Sequence, residues 1–301
     1  MTNEIKQRSP EWFEQRKGRI TGSIMGAILG VSPWQKPADV MRAMVREYHG
    51  YESEFNADIP PIHHGNNNEQ RALLCFMRES GLNVEECGFF PYGDKLGASP
   101  DGLTSDGGIL ELKVPYSLRN GGEFKTLEEQ HHYYHQVQME MLSTGRKHGY
   151  FAQYIAPKGD AFADDYVHEQ IKIERVEFDE QWLDKHLPAI NEFYRQYLAE
   201  LDNPAHLEPL RSAIDSAEAA DILAKIDELR TRQKDDAAKE KELMGELIEM
   251  AGGKNAEVHG RKLTLVERKG SISYAKAIAE LLPDADLEKW RGKASSSWRL
   301  S

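Results

Sequence analysis

The stretch Ser99-Pro100-Asp101-Gly102-Leu103, followed by Ile109-Leu110-Glu111-Leu112-Lys113, constrains this chain more than any other. The first segment reads as a turn, and the second, with its alternating run, as a strand. Side chains at i and i+2 of a strand share a face. Glu111 and Lys113 therefore point one way and Leu110, Leu112 and Val114 the other. A return through Asp106-Gly107-Gly108 brings Asp101 back beside Glu111. Two carboxylates and an ammonium at one point make a place for a divalent cation and a polarised water. The carbonyl of Leu112 falls between the two acids and completes the candidate ligand set. Lys113 is close enough to orient or deprotonate the water, or to steady a phosphate, and burial is expected to lower its pKa. A plain reading stays open beside this one: an ordinary Asp-Gly turn and an exposed Glu/Lys strand pair.

At 301 residues the chain has room for one large domain or two ordinary ones. A hydrophobic share of 40% and a charged share of 29% fit a soluble globular protein. No apolar run approaches the roughly 18 residues of a membrane span, and the first residues lack the apolar core of a secretory signal. The expectation is a cytoplasmic protein with no membrane contact. Cys75 and Cys87 sit in no CxxC pair and read as reduced core thiols. The net charge of -12 counts against a broad nucleic-acid surface, but metal-binding carboxylates enter that tally. Basic residues do gather near the start, at Arg8, Arg16, Lys17 and Arg19.

Ser9-Pro10 predicts a helix start, with Trp12 and Phe13 anchoring that helix to the core. Ser23 reads as a second helix cap, either a plain cap or one that presents free N–H groups to an anion. Helices are predicted from Pro37 through Val45, from about Asn67 to Ser80 with Glu69 in the first turn, and from Leu127 to Thr144. Taken alone, Glu69 is a solvated carboxylate at a helix start. On the last of these helices Tyr133, Gln136 and Glu140 share a face. His131 and His135 lie one turn apart but lack the acidic partner of a zinc motif. Strands are predicted over 83–91, 149–155 and 166–173, and a closing helix over 179–200. Composition shifts at Asn203-Pro204, and 214–250 reads as one long, partly exposed helix whose apolar repeat is interrupted at Gln233, Asp236 and Glu240. A strand over 262–267, short helices near 274–282 and 287–290 and a basic tail follow.

Four ordered blocks resemble the YqaJ-like viral recombinase family, the lambda exonuclease group of the PD-(D/E)xK nuclease superfamily. They are Trp12 to Ser23, His64-Gly65 to Glu69, Ser99 to Leu103 with Leu110 to Pro115, and Tyr134 to Gln138. The resemblance spans about residues 8 to 200. It implies an α/β fold, a restriction-endonuclease-like core with a central mixed β-sheet flanked by helices, over residues 1–204. A mainly helical C-terminal extension, 205–301, lies outside it. It also implies a Mg2+-dependent deoxyribonuclease, with Mn2+ able to substitute, that resects linear double-stranded DNA 5′→3′ in phage recombination. By that resemblance Asp101, Glu111 and Lys113 are catalytic, and Glu69, Asp101, Glu111 and Leu112 hold metal. Arg16, Ser23, Ser99, Tyr133 and Gln136 contact the DNA or its 5′-phosphate. The family also implies a single-strand annealing protein as partner and a homotrimeric ring. The extension has no counterpart in lambda exonuclease and puts that ring in question. An endonuclease with the same core is the rival enzyme, and a DNA-binding module with a decayed site is the non-enzymatic one. No Gly-x-Ser-x-Gly elbow or GK[ST] phosphate loop points to another hydrolase.

Overall fold

The computed structural model describes residues 5–55, 57–163, 165–209, 214–266, 278 and 281–282. It divides into two compact units, 1–211 and 212–301.

The first unit begins with helix α1 (Pro10–Arg16), whose cap Ser9 accepts a hydrogen bond from the Trp12 amide. Strand β1 (Ile20–Thr21), helix α2 (Gly22–Ile28), helix α3 (Pro37–Tyr48) and helix α4 (Pro60–Ser80) follow. Four short strands come next: β2 (Val84–Glu85), β3 (Phe90–Tyr92), β4 (Leu96–Ala98) and β5 (Gly102–Thr104). Strand β6 (Ile109–Lys113), helix α5 (His131–Thr144), strands β7 (His148–Ile155) and β8 (Gln170–Glu177) and helix α6 (Trp182–Glu200) complete the unit's main elements. The central sheet has five strands in the order β2-β5-β6-β7-β8. It is mixed: β6 runs antiparallel to β5 and parallel to β7, and the remaining pairs are antiparallel. A small sheet of order β1-β4-β3 stands apart from it.

Alternation along β6 decides where the helices go. Leu110 and Leu112 pack with Ala72, Cys75 and Phe76 of α4. Ile109 packs on the opposite face with Val137 and Met141 of α5 and with Phe151. Helices thus flank the sheet on both faces. Behind α5 a third core gathers α2, α3 and α6 around Met25, Val45, Trp182 and Phe193. Gly26 makes that layer possible. A Cβ there would lie 2.6 Å from the Cβ of His132 and 2.7 Å from its Cα, so α2 rests almost directly on the α5 backbone. Gly26→Ala is expected to force the two helices apart and to destabilise the protein by about 1–3 kcal/mol, outweighing alanine's better helix propensity. A lowered urea midpoint checks this; an unchanged or raised midpoint counts against the close contact.

Several sequence expectations shift. Phe13 is 52% exposed and does not anchor α1; Trp12 does so alone, because a helix this short buries only one side. Thr21, not Ser23, is the α2 cap, since β1 pairs with β4 and holds Thr21 extended up to the helix. Helix α4 starts at Pro60 because a proline at the first helical position is preorganised, so Glu69 lies well inside the helix rather than in its first turn. The single strand expected over 83–91 is two strands in different sheets. Helix α5 starts at His131 rather than Leu127, and β8 spans Gln170–Glu177 rather than 166–173. Residues 204–208 stay with the first unit: their carbonyls accept hydrogen bonds from Arg42 and Arg46 of α3.

The second unit holds helix α7 (Ala217–Met250), 34 residues long and with no buried residue, and a hairpin of strands β9 (Ala256–Val258) and β10 (Arg261–Leu263). The strand expected over 262–267 is therefore shorter and displaced toward the hairpin turn. The helices expected near 274–282 and 287–290, and the basic tail, lie outside the described residues apart from isolated positions. No helix among the described residues is long and apolar enough to cross a membrane.

Candidate active site

The turn at Asp106-Gly107-Gly108, with Gly107 at φ +93°, folds β6 back along β5. The Asp101 amide donates to the Leu110 carbonyl at 2.9 Å, and Asp101 Oδ2 accepts from the Leu112 amide at 2.6 Å. Asp101 is thereby fixed beside β6. Glu111, 2% exposed, lies on the α5 face of the same strand and is ion-paired with Lys113. Gln136 Nε2 donates to Glu111 Oε1 at 2.7 Å and to Glu140 Oε1 at 2.9 Å. One amide nitrogen thus joins two buried acids.

This cluster opens into a cavity of about 900 Å³ whose walls include Glu69, Asp101, Leu112, Lys113 and Tyr133. A second cavity, of about 780 Å³, reaches Glu69, Asp101 and Leu112 from the side of Cys87. Glu69 is paired with Arg8 at 3.0 Å, and Tyr133 stands with its ring 4.9 Å from Lys113 Nζ. The structure therefore brings Glu69, Asp101, Glu111, Leu112, Lys113, Tyr133 and Gln136 to one end of the sheet, between α4 and α5.

Arg16, Ser23 and Ser99 form a neighbouring group outside those two cavities. Trp12 Nε1 donates to Ser99 Oγ at 2.9 Å, and the Arg16 guanidinium lies 4.0 Å from the Trp12 ring. Arg16 Nη2 reaches Thr21 Oγ1 at 3.5 Å, and Thr21 Oγ1 shares a hydrogen bond with Ser23 Oγ at 3.2 Å. Arg16 lines a separate cavity of about 530 Å³. Burial lowers its pKa to about 10, against the opposing pull of the Glu47 charge.

The electrostatics show a centre short of positive charge. Burial and then the Glu111 charge push the Asp101 carboxyl up to about 8. Burial, with Glu111 next, also raises Glu140 well above the ordinary glutamate value, and its Oε2 is buried without a hydrogen-bond partner. For Lys113, burial is the largest single influence and acts downward as expected, but Glu111, Tyr133 and Asp101 together outweigh it and the net direction is upward. Lys113 is an ammonium held by its carboxylate partner. Among the described residues no three His, Cys, Asp or Glu side chains stand close enough to hold a metal as placed. Protein donors take up the acids instead: Lys113 and Gln136 on Glu111, the Leu112 amide on Asp101. The chemistry still fits a divalent cation. Two of the acids are pushed toward the protonated form for want of a cation that a metal would supply, and hard oxygen donors suit Mg2+ or Mn2+.

Glu140 is the residue that sequence reasoning left without a role. Its spacing from Gln136 was visible, but only the close packing of α5 on β6 turns that helix face inward. His135 is a core residue: its Nδ1 accepts from Trp182 Nε1 at 3.0 Å, and burial with the nearby His186 lowers its pKa to about 4. Cys75 and Cys87 are free and buried.

LHK-Exo, an alkaline exonuclease from Laribacter hongkongensis, is 26% identical with a TM-score of 0.50, over 64% of this chain and 95% of that one. The same protein in complex with dAMP matches equally. An uncharacterized protein of Acanthamoeba polyphaga mimivirus is 27% identical over 177 residues, 54% of this chain. The chain spans only 31% of that curated relative's length. Residues 11–147 match the YqaJ-like viral recombinase domain, from Trp12 on α1 past the Asp101, Glu111 and Lys113 cluster to the α5 face that holds it. Over residues 11–147 this chain is therefore similar to the YqaJ-like viral recombinase domain.

Proposed function

We propose that this protein is a divalent-metal-dependent exonuclease that hydrolyses linear double-stranded DNA, 5′→3′ and with Mg2+ as its ion, in phage-type recombination. The observation that carries the reading is that Asp101 and Lys113 line one cavity, with the buried Glu111 ion-paired to Lys113. Similarity to LHK-Exo, which has been captured with dAMP, supports the nucleic-acid substrate.

In this reading Asp101, Glu111, Glu69 and the Leu112 carbonyl hold the ion. Bound there, a divalent cation would supply a water of lowered pKa and would offset charge on the phosphate. The remaining steps belong to the chain's own residues. Lys113, kept protonated by Glu111, donates to a phosphate oxygen and steadies the charge that grows on it as water attacks. The P–O3′ bond breaks, and the departing oxygen takes a proton. Gln136 holds Glu111 in place. Arg16 and Ser23, with Ser99 linked to them through Trp12, take the 5′-phosphate, for which a half-buried guanidinium is well suited. A single-strand annealing protein would use the 3′ overhang this activity leaves.

A time course with end-labelled linear duplex and Mg2+ tests the proposal, using 5′-phosphate and 5′-hydroxyl ends beside a covalently closed circle. The 5′ label is expected to leave first, as mononucleotide. The circle should stay intact, and Arg16→Ala should lose any preference for the 5′-phosphate. Cutting of the circle would favour an endonuclease, and release from the 3′ end would reverse the polarity.

A further inference from the structure

A tryptophan stands exposed at the mouth of the candidate site. Trp34 is 68% accessible, yet the loop that carries it is held on both sides. The amides of Val31 and Ser32 donate to the Gly26 carbonyl, at 2.9 and 3.0 Å. Ser32 Oγ accepts from the amides of Trp34 and Gln35, both at 3.3 Å. Gly26 in turn sits against His132. The loop is thus anchored to α2 at the point where that helix rests on α5.

The indole meets the aromatic residues of α5. Its ring is 4.7 Å from His132, edge to face, and 5.9 Å from Tyr133. Tyr133 is the ring beside Lys113 Nζ, at 4.9 Å. Trp34, His132, Tyr133, Lys113 and Asp101 line one continuous cavity. A row of rings therefore leads from the protein surface to the candidate catalytic lysine. Burial, with Lys113 next, lowers the His132 pKa to about 4, so that ring is neutral at ordinary pH and adds no charge to the row.

We infer that Trp34 is a stacking platform for an unpaired DNA base, on the strand whose phosphate reaches Lys113. This rests on the nuclease reading and extends it: the site takes a frayed or single-stranded end. Stacked pairs keep their bases turned toward each other. A phosphate can reach Lys113, whose side chain is 24% exposed, only if its strand is peeled away, and a peeled base loses its stacking partners. A rigid, exposed indole beside the entry replaces one of them without reading sequence, because every base has a π face. Its ordering cost is already met by the loop's hydrogen bonds.

The test replaces Mg2+ with Ca2+ in the otherwise unchanged protein, so that binding is read without turnover, with fluorescence anisotropy. The probes are a duplex with a short unpaired 5′ end and the same duplex with abasic sites in that end. Trp34→Ala is expected to weaken binding of the first probe by about 5- to 100-fold. Trp34→Phe should recover most of that loss. The abasic probe should bind both proteins equally and weakly. The salt dependence should not change with Trp34→Ala, since no phosphate contact is removed. Equal affinity for the first probe with and without the Trp34→Ala change, or an equal loss on the abasic probe, overturns the platform and leaves the nuclease reading standing. Failure of the protein with Trp34 intact to bind either probe overturns both.

Discussion

Glu111→Ala and Lys113→Ala should each lower Mg2+-dependent cleavage of linear duplex DNA by at least about 10²–10³-fold, while the protein stays folded. The two variants fail for different reasons. Glu111→Ala takes away the carboxylate that pairs with Lys113 and accepts from Gln136, so two donors lose their common anchor. It also leaves Lys113 and Gln136 without their acceptor, which should cost stability, offset in part because a charge that raises the Asp101 pKa is gone. Lys113→Ala leaves Glu111, 2% exposed, without its cation, which should cost stability as well as activity. Lys113→Met keeps the apolar stem and separates the two effects. Initial rates on the end-labelled duplex, with far-UV circular dichroism as the folding control, decide the matter. Cleavage above a tenth of the original rate in either alanine variant would sink the assignment.

With divalent cations stripped by a chelator, the protein is expected to lose stability as pH rises. The sign follows from Asp101 and Glu140. Both carboxyls are raised in the folded protein, Asp101 to about 8 from an ordinary 3.8. The folded state then binds protons more tightly than the unfolded one. The contribution of Asp101 is fully present below about 4 and is lost as pH climbs through about 8. At about 1.4 kcal/mol per unit of pKa difference, the loss amounts to several kcal/mol. Added Mg2+ should restore stability, by about 2.7 kcal/mol at a hundred times its dissociation constant. It should do so more at about pH 8 than at about pH 5, because metal and proton compete for the same oxygens. Urea titrations across that range, with chelator and with Mg2+, read both effects. Glu140→Gln removes one of the two titrating acids and should flatten the slope. A flat profile, unmoved by Mg2+, would mean that the cluster is an ordinary buried ion-pair network.

Much of this site was legible because short-range chemistry sets it. Asp106-Gly107-Gly108 forces the hairpin, and period-two alternation then puts Glu111 and Lys113 on one face without reference to the rest of the chain. Gly145, in the left-handed conformation at φ +70°, ends α5 where expected and so fixes which side chains share a face with Gln136. What sequence could not yield depends on partners distant in the chain. Thr21 becomes the α2 cap only because β1 finds β4, far along the chain. Glu69 belongs mid-helix because Pro60-Pro61 initiates α4 through a stretch with no apolar period to reveal it. Glu140 looks like any polar residue on an amphipathic helix, and its burial appears only when α5 is pressed between the sheet and α2. Trp34 shows the converse: a residue whose composition says core and whose loop holds it outside.

The double hydrogen bond from Gln136 has a mechanical consequence. One nitrogen spends both of its hydrogens on two acids, so the side chain cannot rotate without abandoning one of them. It acts as a neutral spacer of set length, where a fourth carboxylate would repel and a hydrocarbon would leave both acids bare. The distance between α5 and β6 is therefore gauged by this one amide. Tyr133, nearly one turn earlier on the same helix, inherits that gauge, and so does the indole beyond it. The chemistry and the entrance share one ruler, and a slip in the helix would misplace both together.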